Sequence, residues 1–241
     1  MSARWLDWLF PPQARCMGCG SVRLPQAGPP LCPACRELAA KAALPKPFCA
    51  WCGYPAQGRP CLQCAAPQSQ RLDWLTAPFA YRPPISSMIR RLKYGGWGQA
   101  VPFLAREMAG AWEACGQPPP ELCAFVPMTS RRRGQRGGNH AELLCRELCR
   151  ITGWPAAPVL TRVREGKHQA GLDRAQRRAN VRKAFAASAQ VKGRRVLIVD
   201  DVVTTCATMG DCARALRAAG AVWVGAAAAA VELKTVREKE R

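Results

Sequence analysis

The clearest apolar run in the chain is Val196-Leu197-Ile198-Val199, four consecutive apolar residues of the kind that form a strand buried on both faces. Asp200 and Asp201 follow it, then small and hydroxyl residues through Ala207. From Thr208 the period changes: Met209, Cys212, Ala213 and Leu216 recur at helical spacing and stop at Gly220. Ala221 to Val231 is a second apolar run that fits a buried strand. Upstream, Leu75 to Tyr81 predicts a strand closed by Pro83-Pro84. Ile85, Met88, Ile89 and Leu92 predict a short amphipathic helix ending in Lys93-Tyr94-Gly95-Gly96. A helix is expected over 103–114, a turn over Gln117–Pro120, a short buried strand over 123–127 and a helix over 141–151. Val159-Leu160 opens a further strand. The segment 162–185 is long, polar and basic; it predicts a lid whose helical part begins near Asp173, or else a surface helix with a solvated Arg face. Strands alternating with helices predict an α/β parallel sheet.

The first 64 residues follow a different grammar. Eight cysteines form four C-x-x-C knuckles: Cys16/Cys19, Cys32/Cys35, Cys49/Cys52 and Cys61/Cys64. Each such turn aims two thiolates at one ion, and two turns complete a tetrahedral site. Four knuckles therefore predict two structural zinc ions in a double zinc ribbon. We assign Cys16, Cys19, Cys32 and Cys35 to one and Cys49, Cys52, Cys61 and Cys64 to the other; spacing also allows a cross-brace of alternate knuckles. The start of the chain does not read as a signal peptide and no apolar stretch is long enough to span a membrane, so the expected setting is the cytoplasm, where disulfides are rare. Cys145, Cys149 and Cys212 fall on apolar helical faces and read as small core hydrophobes. The composition divides the chain into a ribbon unit, 1–68, and an α/β unit, 69–241.

Charge adds a partner class. Lys and Arg number 36 against 16 acidic residues, a formal net charge of +20. Such a balance suits single-stranded DNA or another polyphosphate, and it also suits a merely solvated basic surface. The loop after the strand at 123–127 concentrates it: Arg131, Arg132, Arg133 and Arg136 stand among Gly134, Gly137 and Gly138. Planar guanidinium donors and glycines that let the backbone approach closely suit a pyrophosphate; the other reading is a disordered or DNA-touching basic loop.

The turn after Asp200-Asp201 leaves the carboxyl end of a strand and opens a helix, so its N–H groups and the helix dipole form a phosphate cradle. Carboxylates repel a phosphate but suit neutral hydroxyls or a metal beside it. A phosphate next to a diol is a ribose 5-phosphate. The run 195–209 resembles the ribose-phosphate signature of type I phosphoribosyltransferases, which bind phosphoribosyl pyrophosphate (PRPP). One departure is Cys206, which stands where that signature has Gly; a Cβ there opposes both close backbone approach and positive φ. An ATPase of the P-loop type is excluded, because no G-x-x-x-x-G-K-[ST] occurs.

Taken in order, the zinc knuckles, Arg136-Gly137-Gly138-Asn139, the set Gln169, Arg178, Asn180-Val181 and Ala184-Phe185, and the Asp200–Thr205 turn resemble the ComF family, including GntX-like proteins. Gly138 replaces the aromatic usual in that family, and His140 stands where Gln is common. The resemblance implies a type I phosphoribosyltransferase-like α/β sheet with helices on both faces behind a double zinc ribbon. It implies PRPP or a related ribose phosphate as ligand, Mg with PRPP, and a role in DNA uptake or nucleotide salvage, with DNA-uptake machinery proteins as partners. On that reading Asp200 and Asp201 hold the ribose hydroxyls. Thr204, Thr205, Cys206, Ala207 and Thr208 bind the 5-phosphate, Arg131, Arg132, Arg133 and Arg136 face the pyrophosphate, and Lys167 and His168 close from the lid. The alternative is a non-catalytic single-strand DNA-binding accessory of natural competence with a degenerate transferase fold.

Overall fold

The computed structural model describes residues 15–22, 30–44, 46, 48–49, 51, 70–95, 98–128, 138–164 and 183–233. In chain order the elements are α1 (Pro33–Lys41), β1 (Trp74–Thr76), β2 (Phe79–Ala80), α2 (Ile85–Gly95), α3 (Ala100–Glu113), β3 (Leu122–Phe125), α4 (His140–Thr152), β4 (Leu160–Arg162), β5 (Phe185–Ala187), β6 (Arg195–Val203), α5 (Ala207–Ala218) and β7 (Trp223–Val231). The main sheet is parallel, in the order β1-β7-β6-β3, with β2 also pairing along β7. β4 and β5 form a separate antiparallel pair.

The strand expected over 75–81 is split. Trp74–Thr76 pairs with Gly225–Ala227 and Phe79–Ala80 with Ala230–Val231, on either side of Ala77-Pro78. Proline has no N–H to give the ladder, which interrupts the strand there. The strand expected to end at Val199 instead runs through both carboxylates to Val203, because β7 continues beside it and pairs with Val202 and Val203.

Side chains alternate across a strand, and this divides the core. Leu197 and Val199 of β6 pack with α2, α3 and α4 on one face. Val196 and Ile198 pack with α5 and the β4–β5 pair on the other. The alanine run Ala226–Ala230 keeps β7 thin on both sides, and the strand is buried from Val224 to Val231. Cys16, Met17, Leu31, Cys35, Ala39 and Ala42 belong to the same core cluster as α2–α4. Ala80 N–H donates to the Ala42 carbonyl and Leu44 N–H to that of Pro78, tying the end of α1 to the sheet. The remaining positions of the lid segment, and the helix expected near Asp173, lie outside the described residues.

Candidate functional site

The site lies at the carboxyl edge of β6, between the two layers of helices. The pleat sends its carboxylates to opposite sides. Asp201 follows Leu197 and Val199 toward α2, where its Oδ1 accepts from Lys93 Nζ at 2.6 Å. Asp200 follows Val196 and Ile198 toward α5, where its charge helps to push the buried Cys212 thiol up, after burial itself. Burial of Asp200, with the charge of Asp201 beside it, pushes its carboxyl up to about 7; the Asp201 N–H, which it accepts at 2.8 Å, and Lys93 only partly offset this.

After the carboxylates, Thr204 is exposed and Thr205 buried, and Cys206 stands before the first residue of α5. Cys206 adopts φ 59°, ψ 4°, the left-handed region, with no side-chain cap on the helix. The turn therefore uses the conformation that glycine favours, and a cysteine bears it at a cost of roughly 1–2 kcal/mol. Positive φ is reached despite the Cβ, contrary to the obstruction expected at this position. The thiol turns away from the turn and donates to the carbonyl of Trp51 at 3.3 Å, beside the third knuckle. Arg71 lies over the Trp51 ring, 4.4 Å from its centre.

A cleft of about 270 Å³ opens at this edge. It brings together Asp200, Asp201, Thr204 and Thr208 with Tyr81, Lys93, Arg162 and the segment Val126–Met128; Thr205, Cys206 and Ala207 do not line it. Asn139 lines it and caps α4: its side chain accepts from Ala141 N–H at 3.1 Å and donates to the Val126 carbonyl at 3.0 Å. Arg131, Arg132, Arg133, Arg136, Lys167 and His168 lie outside the described residues. Sequence reasoning missed Lys93, Tyr81 and Arg162. Lys93 had a signal: it stands four residues after Ile89, on the edge of the buried stripe of α2. Tyr81 and Arg162 carried none.

The first two knuckles form a second centre. The Sγ atoms of Cys16, Cys19, Cys32 and Cys35 all lie within 4.8 Å of one another, with Cys19 and Cys32 3.9 Å apart. Sulfurs on one tetrahedral zinc, bonded at about 2.3 Å, stand roughly 3.8 Å apart, so the set fits a structural zinc ion. Cys32 N–H donates to Cys16 Sγ at 3.2 Å. The Ser21 hydroxyl and N–H lower the Cys19 thiol to about 6, toward the thiolate a metal needs. The first and second knuckles thus share one centre. Cys49 is buried; Cys52, Cys61 and Cys64 lie outside the described residues. Glycine is required twice here. A Cβ on Gly18 would meet Cys35 Sγ and Pro84 Cβ at 2.7 Å, and Gly20 has φ +84°. Arg91 of α2 donates to the carbonyls of Met17 and Gly18, at 2.7 Å for Met17.

The family model described as "Phosphoribosyl transferase domain" matches residues 142–241, from α4 through the carboxylate turn to the end of the chain. "Competence protein F" of Haemophilus influenzae is 30% identical over 217 residues, which cover 86% of this chain and 92% of that protein. "DNA utilization protein YhgH" of Salmonella typhi is 35% identical over 185 residues, 73% of this chain and 81% of that protein. The chain belongs to the ComF/YhgH family. The protein of the same name in Escherichia coli K12 is 35% identical over 189 residues, 74% of this chain and 82% of that protein. Among solved structures, the glutamine PRPP amidotransferase of B. subtilis matches with a TM-score of 0.32 at 20% identity, over 54% of this chain and 26% of that one. This ComF/YhgH chain spans about a quarter of that enzyme's length. Its fold is a phosphoribosyltransferase-like α/β domain, with a four-cysteine cluster at the N-terminal end able to hold zinc. Among the described residues no helix is long and apolar enough to cross a membrane.

Proposed function

We propose that this chain is a PRPP-binding, phosphoribosyltransferase-like protein that serves DNA uptake or utilisation, or nucleotide salvage. One observation carries the reading: two carboxylates share a cleft with Thr204 and Thr208 at the N-terminus of α5. Carboxylates beside a phosphate cradle select a ligand whose phosphate adjoins neutral hydroxyls, and the 2,3-diol of a ribose 5-phosphate has that form. Asp200 and Asp201 hold the ribose hydroxyls, the turn 204–208 takes the 5-phosphate through Thr204 and Thr208, its two cleft-lining residues, and Arg131, Arg132, Arg133 and Arg136 face the pyrophosphate. Lys167 and His168 close from the lid. No nucleophile is needed, because positioning and charge stabilisation suffice for departure of pyrophosphate.

Two carboxylates cannot by themselves cage Mg²⁺, but they fit an ion that arrives on the oxygens of PRPP. Bound in that way, Mg²⁺ supplies charge neutralisation on the pyrophosphate. The first two knuckles hold one structural zinc, and Cys49, Cys52, Cys61 and Cys64 hold a second. Residues 1–68 form the ribbon unit and 69–241 the transferase-like unit, in a reducing cytoplasmic setting that keeps the thiols available. The test is calorimetric titration with PRPP and Mg²⁺. Asp200→Asn with Asp201→Asn should weaken binding tenfold or more, about 1.4 kcal/mol. Unchanged affinity in that variant would refute the assignment of these carboxylates.

The balance of 36 basic against 16 acidic residues supports a second reading, a non-catalytic accessory that binds single-stranded DNA. It predicts sequence-independent DNA binding that falls steeply with salt and survives loss of the carboxylates. PRPP binding without detectable DNA binding at physiological salt would remove it.

A further inference from the structure

We propose that Lys93 is a displaceable counter-ion that makes this site select PRPP over ribose 5-phosphate. The inference rests on the ribose-phosphate reading and names a specificity residue for it. Its ammonium meets Asp201 Oδ1 at 2.6 Å, with both side chains largely covered, 17% and 10% exposed. Lys93 comes from α2, on the face opposite α5. The helix that follows the basic loop, α4, packs on the same face as α2. The two ends of the cleft therefore differ. The α5 side offers a turn and a helix N-terminus for the 5-phosphate. The α2–α4 side carries Lys93 and receives the chain from the basic loop.

A ribose diol that engages both carboxylates competes with Lys93 for Oδ1. The diol is neutral, so it replaces the hydrogen bond but not the charge. An ammonium left without a partner in a covered site is costly. PRPP relieves that cost, because its pyrophosphate brings negative charge to the α2–α4 side, within reach of a four-carbon side chain. Ribose 5-phosphate has only a hydroxyl at that carbon and leaves the ammonium stranded. Lys93 thus opposes the one ligand and welcomes the other. In the ligand-free protein it keeps Asp201 from standing as an unpaired charge.

Calorimetry with PRPP and with ribose 5-phosphate, each with Mg²⁺, tests this on the full-length chain. Lys93→Met removes the charge. Lys93→Gln also removes it but keeps a donor for Asp201, which guards against a folding defect from an unpaired carboxylate. In both variants PRPP should bind at least tenfold more weakly, while ribose 5-phosphate binds as well as before or better, so their affinity ratio collapses. If both ligands weaken equally in both variants, or the ratio is unchanged, Lys93 is only a structural ion pair and the inference is wrong. If the wild-type chain binds neither ligand, the ribose-phosphate reading falls and takes this one with it.

Discussion

Asp200→Asn should make this protein more stable, and more so at high pH. The Asp200 carboxyl titrates at about 7 in the folded chain against an ordinary 3.8, first because it is buried and second because the charge of Asp201 lies beside it. A carboxyl raised on folding binds its proton more tightly in the native state, so its ionisation costs stability. That cost is absent below about pH 3.8, grows as pH rises, and is complete above about pH 7. At about 1.4 kcal/mol for each unit between the two values, the ceiling is roughly 4 kcal/mol at pH 8 and roughly 2 kcal/mol at pH 5. Asp200 is half-buried, so water screens part of this. The asparagine keeps an oxygen for the Asp201 N–H and sheds the charge. Urea unfolding of both proteins, in parallel at pH 5 and pH 8, should show the variant gaining at least 1 kcal/mol more at pH 8. The Cys19 thiol, lowered to about 6, titrates in the same range, but it does so in both proteins and cancels in the difference. Parallel stability–pH curves would show that Asp200 is not strained and that the carboxylate pair stores nothing.

Cys206→Gly removes the left-handed strain but also the contact to the Trp51 carbonyl. It should tighten PRPP binding in calorimetry if the Cβ is the obstacle, and unchanged affinity would clear the Cβ of that role. Cys32→Ser should lower the zinc content measured by elemental analysis by one ion per chain and cost much of the stability of 15–44, since structural zinc contributes folding energy directly. Asp211 is 2% exposed and accepts from the N–H groups of Lys183, Ala184 and Phe185 and from Arg214 Nε. Asp211→Ala strands all four donors and should destabilise by about 3–5 kcal/mol in chemical unfolding; a loss under 1 kcal/mol would show that this anchor of β5 is dispensable.

Much of this architecture was legible in the linear pattern. A four-residue apolar run, two acids and a change of period from strand to helix announce a carboxylate turn at a sheet edge, because those features depend on neighbours within a few residues. The knuckle spacing announces a thiolate centre for the same reason. The resemblance to the ribose-phosphate signature, which has Gly at this position, marked Cys206 as the odd residue of its turn, and the backbone there takes the positive φ that glycine would take without strain. The tertiary structure decided what lies far apart in the chain. Lys93 and Asp201 are 108 residues apart and meet only because α2 packs on the face to which the pleat directs Asp201. The first knuckle meets the second, where Gly18 lets its turn sit against Cys35 and Pro84 and Arg91 holds its carbonyls. Pro78 broke a strand whose apolar pattern was continuous, since hydropathy does not register a missing N–H. Periodicity tells a side chain which face to take; which partner waits on that face depends on the packing of whole elements, and that carries no local signature.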